Sequence, residues 1–287
     1  MTGAAAARIG IGLPAAVPGV RPDQLVEWAR RSDAAGFSSL ATLDRLVHDG
    51  LEPLVTLGAA AAVTERIGLG SYVLLAPTRG PSALLARQAA TLDRLSGGRF
   101  TLGLGVGARQ DDYRATDTEF RTRGRRLDTM LDELQAIWAA PGPERVGPTP
   151  LSGRPRIVLG GRSAAALERA ARAGDGWVAG STGFFAEGAA AVRAAWQRHG
   201  REGAPRLQAV AYFALGTDAA RHAREYLTSY YGFIGAGAAA VADSALTTPA
   251  AVRGVAEEMG RAGCDELLLF PCRPDPEQVD LLAAALM

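Results

Sequence analysis

Four consecutive residues, Gly160-Gly161-Arg162-Ser163, carry the clearest chemical signal in the chain. Paired glycines let a backbone approach a ligand closely. The amphipathic run that follows reads as a helix, whose first amides lack intrahelical partners and whose positive end favours an anion. Arg162 adds charge, and Ser163 is placed to cap the helix or to bond a phosphate oxygen. A phosphate cradle is the functional reading. The structural reading is a tight turn that needs glycine only for its backbone angles. Gly180-Ser181-Thr182 opens the next helical run and can close on the same phosphate, although Ser and Thr are ordinary caps. Gly103, Gly105 and Gly107 alternate along an apolar run. Glycine weakens a strand unless something must come close, here either a flat ring or tightly packed neighbours. Asp44-Arg45 is the polar pair best suited to reacting atoms, with a surface salt bridge as the alternative.

Other chemistries are poorly supported. His48, His199 and His222 are scattered, and the last two fall on helical patterns, which argues against a histidine metal site. No Ser-His-Asp arrangement is legible, and Ser181 does not sit in a nucleophile-elbow pattern. The adjacent Asp111 and Asp112 would need Asp44 as a partner for glycoside hydrolysis, and nothing else suggests sugars. All 31 basic residues are arginine, which excludes Schiff-base lysine chemistry. The net charge of +1 gives no electrostatic reason to expect nucleic acid or an anionic membrane. Cys264 and Cys272 have spacing unlike a zinc knuckle and read as reduced thiols of a cytoplasmic protein. The start of the chain lacks a basic, long-apolar leader, and no apolar run approaches 18 residues, so neither secretion nor a membrane span is expected.

These residues need a scaffold, and the hydropathy pattern supplies one. Short apolar runs at 8–14, 38–43, 66–75, 99–105, 157–159, 176–179, 207–215 and 264–270 read as strands. Helical periodicity falls between them, at 22–35, 53–64, 81–95, 124–138, 163–173, 184–199, 218–230 and 249–262. A last helix opens at Asp275-Pro276-Glu277-Gln278, with Asp275 as cap, Gln278 reaching back, and Leu281, Leu282 and Leu286 facing inward. Strict alternation over 287 residues predicts one α/β domain, a (β/α)8 TIM barrel. A doubly wound open sheet is the runner-up, but Gly12-Leu13-Pro14 breaks the glycine fingerprint it needs. Two segments stand outside the rhythm. Residues 140–156 form a Pro- and Gly-rich joint, and residues 230–248 read as a lid or a plain surface insertion.

Three blocks in this order resemble the luciferase-like monooxygenase family. They are residues 52–70 (EPLVTLGAAAAVTERIGLG), 84–107 (LLARQAATLDRLSGGRFTLGLGVG) and 160–177 (GGRSAAALERAARAGDGW). The likeness runs from Arg8 to about Ala179 and loosens beyond Gly180. It implies a barrel, often dimeric through first-half helices, that uses reduced FMN with oxygen or coenzyme F420 for hydride transfer. It implies that Gly160, Gly161, Arg162 and Ser163 hold the cofactor phosphate, and that the ring lies near Ala76, Thr78, Gly105 and Gly107. The expected activity is an oxidation or reduction of a small organic substrate, with a separate flavin reductase or F420-reducing enzyme as supplier. A non-redox barrel acting on a phosphorylated metabolite, such as an isomerase or lyase, and a non-catalytic flavin-binding protein are the alternatives. Many members carry Asp-His where this chain has Asp44-Arg45. Arginine is a poor proton donor, so the proton is expected from Asp44, Tyr72, Tyr113 or water.

Overall fold

A computed structural model describes residues 6–142 and 145–287. Residues 143 and 144 of the expected joint, and 1–5 of the N-terminal stretch, lie outside the described residues. The strands are β1 (Arg8–Gly12), β2 (Ser39–Thr42), β3 (Gly68–Ser71), β4 (Leu74–Leu75), β5 (Phe100–Gly105), β6 (Arg156–Gly160), β7 (Gly176–Ala179), β8 (Arg206–Phe213) and β9 (Glu266–Pro271). Every pairing among them is parallel, and a β3–β5 pairing closes the ring. Because β3 and β4 are two pieces of one wall position, the barrel has the expected eight strand positions. The helices are α1 (Pro22–Ala34), α2 (Pro53–Ala61), α3 (Ser82–Leu95), α4 (Gln110–Ala115), α5 (Arg123–Ala139), α6 (Ala164–Ala173), α7 (Phe185–Arg198), α8 (Ala219–Tyr230), α9 (Gly237–Asp243), α10 (Pro249–Arg261) and α11 (Glu277–Leu286).

Local chemistry explains the boundaries. Proline takes an opening position of α1, α2 and α10, where a missing amide costs nothing. Glu52, Ser163 and Thr248 cap their helices by accepting from the amides of Val55, Ala166 and Ala251. Along α5, Leu127, Met130, Leu131, Leu134 and Trp138 are buried at helical spacing, and Trp138 Nε1 donates to Ala86 O at 3.1 Å. Leu131 and Leu134 are fully buried, so truncating either to Ala costs about 2–5 kcal/mol.

Strand alternation sorts residues between two cores. Outward residues such as Ile11, Leu69, Leu102, Leu159, Leu207 and Leu269 pack against the helices. Inward residues, including Ala41, Val158, Val178, Val210, Tyr212, Leu268 and Phe270, fill the interior. Several strands give up inward side chains to their neighbours. A Cβ on Gly70 would meet the Tyr72 ring, one on Gly12 the Phe270 ring, and one on Gly103 the Ser71 carbonyl.

The structure corrects two expectations and adds two elements. The third strand is not continuous: it breaks at Tyr72 and Val73, whose peptide bond is cis, and both side chains turn into the interior cluster. A short helix, α4, follows β5 and carries Asp111 and Asp112. Residues 230–248 contain a 3-10 turn (Gly232–Ile234) and α9. Asp275 does not cap α11 with its side chain, and Gln278 does not reach back. Instead Gln278 is buried and bonds Leu215 through both backbone groups, at 2.8 and 2.9 Å. Leu282 faces inward as expected, while Leu281 and Leu286 are only partly buried against the core.

Candidate active site

The C-terminal ends of the strands form the mouth, where loops rather than strands carry the variable side chains. The turn between β6 and α6 keeps the expected form. Gly161 has φ +140°, a value that side chains rarely tolerate, and Trp177 Nε1 pins its carbonyl at 2.9 Å. Ser163 Oγ accepts from Ala166 N at 3.3 Å, which leaves earlier first-turn amides facing out. Arg162 lies over the Phe184 ring at 4.8 Å, and Phe184 follows the turn that holds Ser181 and Thr182. Strands β6 and β7 are neighbours, so both sequence-predicted phosphate turns stand side by side. The side chains of Ser181 and Thr182 cap nothing, so their hydroxyls stay open to a ligand.

Asp44 and Arg45 do not pair with each other. The Asp44 carboxylate accepts from Arg79 Nη2 at 2.6 Å, from Arg79 Nε at 3.2 Å and from Leu75 N at 2.8 Å. Arg79 also pairs with Glu52. The pair is buried, with side-chain exposures of 5% for Asp44 and 16% for Arg79, so Asp44 holds the turn after β4 in place. That turn contains Ala76 and Thr78. Ala76 is fully buried in the outer core, and the Thr78 hydroxyl donates to Leu75 O at 2.8 Å. Neither side chain is free at the mouth. The alternating glycines have a packing cause. A Cβ on Gly105 would stand 2.5 Å from Val73 Cγ2, and one on Gly107 would stand 2.6 Å from Leu75 Cδ2.

Arg45 instead reaches across the mouth. Its Nη1 donates to Tyr230 O at 2.7 Å and its Nη2 to Val47 O at 2.8 Å, with the guanidinium 4.9 Å from the Tyr230 ring centroid. Arg109 faces the same space, below the Phe233 ring at 4.5 Å. The fully buried Asp112 accepts from Leu46 N and Val47 N at 3.0 and 2.7 Å and stands 3.6 Å from Arg109 Nε. The Nε atoms of Arg45 and Arg109 are buried without a hydrogen-bond partner among the described residues. Burial, and then the like charge of Arg109, lowers the Arg45 guanidinium from its usual value. Such unspent donors suit an anion or an electron-rich ring edge.

Residues 230–248 roof this space. Tyr231 and Tyr212 share a hydroxyl hydrogen bond of 2.6 Å, Leu246 N donates to Tyr212 O at 2.8 Å, and Tyr226, Tyr230 and Tyr231 meet in tilted and edge-to-face pairs beside it. Burial drives the Tyr212 hydroxyl well above the ordinary tyrosine range. Two expected proton donors lie elsewhere. The Tyr72 hydroxyl accepts from Gln208 Nε2 at 3.0 Å deep in the interior, and the Tyr113 hydroxyl donates to Val106 O. Burial pushes each to about 12. Tyr212 and Tyr231 were not among the sequence candidates for the site. The signal for the tyrosines was the aromatic density of residues 226–233 beside a glycine-rich stretch.

The profile of the luciferase-like monooxygenase family matches residues 4–279. The chain belongs to this family. An uncharacterised protein of Mycobacterium tuberculosis is 32% identical over 188 residues, covering 54% of this chain and 64% of that protein. An F420-dependent glucose-6-phosphate dehydrogenase of Kribbella flavida is 29% identical over 190 residues, covering 60% of this chain and 57% of the relative. The chain thus spans somewhat under two thirds of the length of these curated relatives. Among solved structures, an F420-dependent secondary alcohol dehydrogenase in complex with an F420-acetone adduct superposes with a TM-score of 0.79 at 15% identity, covering 98% of this chain and 99% of the other. The oxygenating constituent of a 3,6-diketocamphane monooxygenase of Pseudomonas putida, solved with FMN, gives 0.73 at 17% identity, with 97% of each chain covered. This similarity establishes the barrel of this luciferase-like protein and agrees with its closed topology. No helix among the described residues is long and apolar enough to cross a membrane.

Proposed function

We propose that this protein is an oxidoreductase that holds reduced FMN or coenzyme F420 across the mouth and acts on a small organic substrate under the 230–248 roof. The carrying observation is the turn at Gly160, Gly161, Arg162 and Ser163, which presents open helix amides and a hydroxyl beside a fixed guanidinium. The residues present fit such a cofactor, because Arg45 and Arg109, on loops that follow strands β2 and β5, carry Nε atoms without a hydrogen-bond partner among the described residues. When bound, the cofactor supplies the hydride or the electrons. Ser163, Arg162, Ser181 and Thr182 bind its phosphate. Arg45 and Arg109 stabilise negative charge on the ring or substrate, and the Tyr212, Tyr231 and Phe270 wall excludes water. Arg45 serves here as a fixed cation rather than as a proton donor.

The 230–248 roof is proposed as a lid. The exposed Val55, Leu84 and Leu95 on α2 and α3 are proposed to dock a second copy of the chain. Two buried, free cysteines support a reducing, cytoplasmic setting, where a partner reductase would regenerate the cofactor. Parallel fluorescence titrations with FMN and F420 test the reading. Ser163→Ala combined with Arg162→Gln is expected to weaken binding of the preferred cofactor more than tenfold. If wild-type protein binds neither cofactor, or if the double variant binds as wild type does, the assignment fails.

A further inference from the structure

The barrel has a second opening, at the N-terminal ends of its strands, opposite the mouth. A cavity of about 560 Å³ lies there. Three of its lining residues are arginines at the first position of a strand: Arg8 of β1, Arg156 of β6 and Arg206 of β8. Their phase is inward. Ile157 and Leu207, one residue on, pack in the outer core, whereas Val158 and Val210, two and four residues on, pack in the interior.

Other charges at this end are already committed. Arg99 donates to the carbonyls of Ser96, Ile67 and Thr64, and Arg154 grips Asp175 with two bonds of 2.6 Å. Asp93 accepts from Leu151 N. Glu266, fully buried, takes Ser38 at 2.5 Å, Ser39 at 2.8 Å, Gln208 at 2.6 Å and Arg206 at 2.5 Å. Its two oxygens have no capacity for a further guanidinium. Arg206 Nε is buried without a partner, and the side chains of Arg8 and Arg156 make no ion pair among the described residues.

Three guanidinium groups thus line one cavity: those of Arg8 and Arg156 make no ion pair among the described residues, and that of Arg206 is held through Nη2 by Glu266, whose oxygens are saturated. Open guanidinium donors bond oxyanions strongly. Donors arriving from three separate strands suit a tetrahedral group with three or more acceptor oxygens better than a planar carboxylate with two. Ser39 and Thr101 line the same space. Its volume falls in the usual range of small-molecule sites, about 300–1,000 Å³, and leaves room beyond a phosphate.

We propose that this base cavity binds a phosphoryl group, as free phosphate or on a small phosphorylated metabolite, at a site separate from the cofactor mouth. Inorganic phosphate and ribose 5-phosphate are titrated calorimetrically at constant ionic strength, with chloride as control. The proteins are the wild type, Arg8→Gln, Arg156→Gln, the double variant and Ser163→Ala. Arg8 and Arg156 are exposed, so their replacement leaves the fold intact, which circular dichroism checks. Each arginine lost is expected to weaken phosphate binding about tenfold, while Ser163→Ala leaves this event unchanged. Tighter binding of ribose 5-phosphate identifies a metabolite site, and equal binding identifies free phosphate; either supports the site. Phosphate affinity that survives in the double variant, or that vanishes in Ser163→Ala alone, overturns it, as does heat no greater than that of chloride.

Discussion

Replacing Asp44 with asparagine separates a structural carboxylate from a catalytic one. In the structure Asp44 is spent on Arg79 and Leu75 N, and Arg79 is itself mostly buried. The Asp44→Asn amide would keep one acceptor for the Leu75 N–H but remove the charge that faces Arg79. Breaking a buried pair by removing one partner costs roughly 3–5 kcal/mol. Arg79 retains Glu52, so the lower end, about 3 kcal/mol, is expected. Arg79→Gln should cost a similar amount, and the double variant should cost less than the sum by about 1–3 kcal/mol, because the two changes share one interaction. Urea denaturation of the four proteins measures this cycle. Turnover and its pH profile are followed in parallel. If Asp44 is structural, Asp44→Asn lowers activity only as far as it loosens the 76–78 turn, and the pH profile keeps its shape. The opposite result refutes this role: Asp44→Asn unfolding at the wild-type midpoint, yet losing activity a thousandfold together with one limb of the pH profile. Asp44 would then be the proton donor.

Three further outcomes follow from the mouth and the core. Burial holds His48 below its ordinary value of 6.5, with Arg45 and Arg109 adding to the shift. Below that pH the unfolded chain takes up the proton first, so stability should fall as pH drops through 6.5 towards the folded value. Denaturation midpoints against pH should show this slope, and His48→Gln should flatten it. Tyr231→Phe removes one hydroxyl of the 2.6 Å pair with Tyr212 and should cost about 1–2 kcal/mol. It should also speed limited proteolysis within 231–237, and an unchanged cleavage rate would show that this bond does not hold the roof. Burial pushes the Cys264 thiol up to about 12 and raises that of Cys272 as well. A thiol reagent should therefore label neither in the native protein and both in urea, and fast native labelling would contradict the burial.

The alternation of apolar runs and amphipathic helices made the barrel legible, because strand and helix periods differ. What it missed has physical causes. The run at 66–75 is largely apolar, so nothing in its hydropathy marks the break at Tyr72 and Val73. Helix α4 has six residues, too few for a periodic signal. At the site, the turn at 160–163 was visible because its glycines, cap and helix are contiguous. The partner of Asp44 was not, since Arg79 lies 35 positions away and only barrel closure brings them together. Arg45 reads as a lone cation in sequence, and its tie to Tyr230 spans 185 positions. Gln208, a polar residue amid the apolar run LQAVAYF, was the one usable sign there of a buried polar network with Tyr72 and Glu266.

The glycine faces of β1, β3 and β5 have a consequence for engineering. Phe270, Tyr72 and Val73 occupy the volumes that side chains on Gly12, Gly70 and Gly105 would need. That arc of the wall is therefore shaped by side chains from adjoining strand ends rather than by its own residues. A mutagenesis library meant to alter substrate preference gains little at those glycines. Diversity placed at Tyr212, Phe270 and Cys272, with the 230–248 roof varied in concert, changes the contour of the pocket while leaving its backbone template intact.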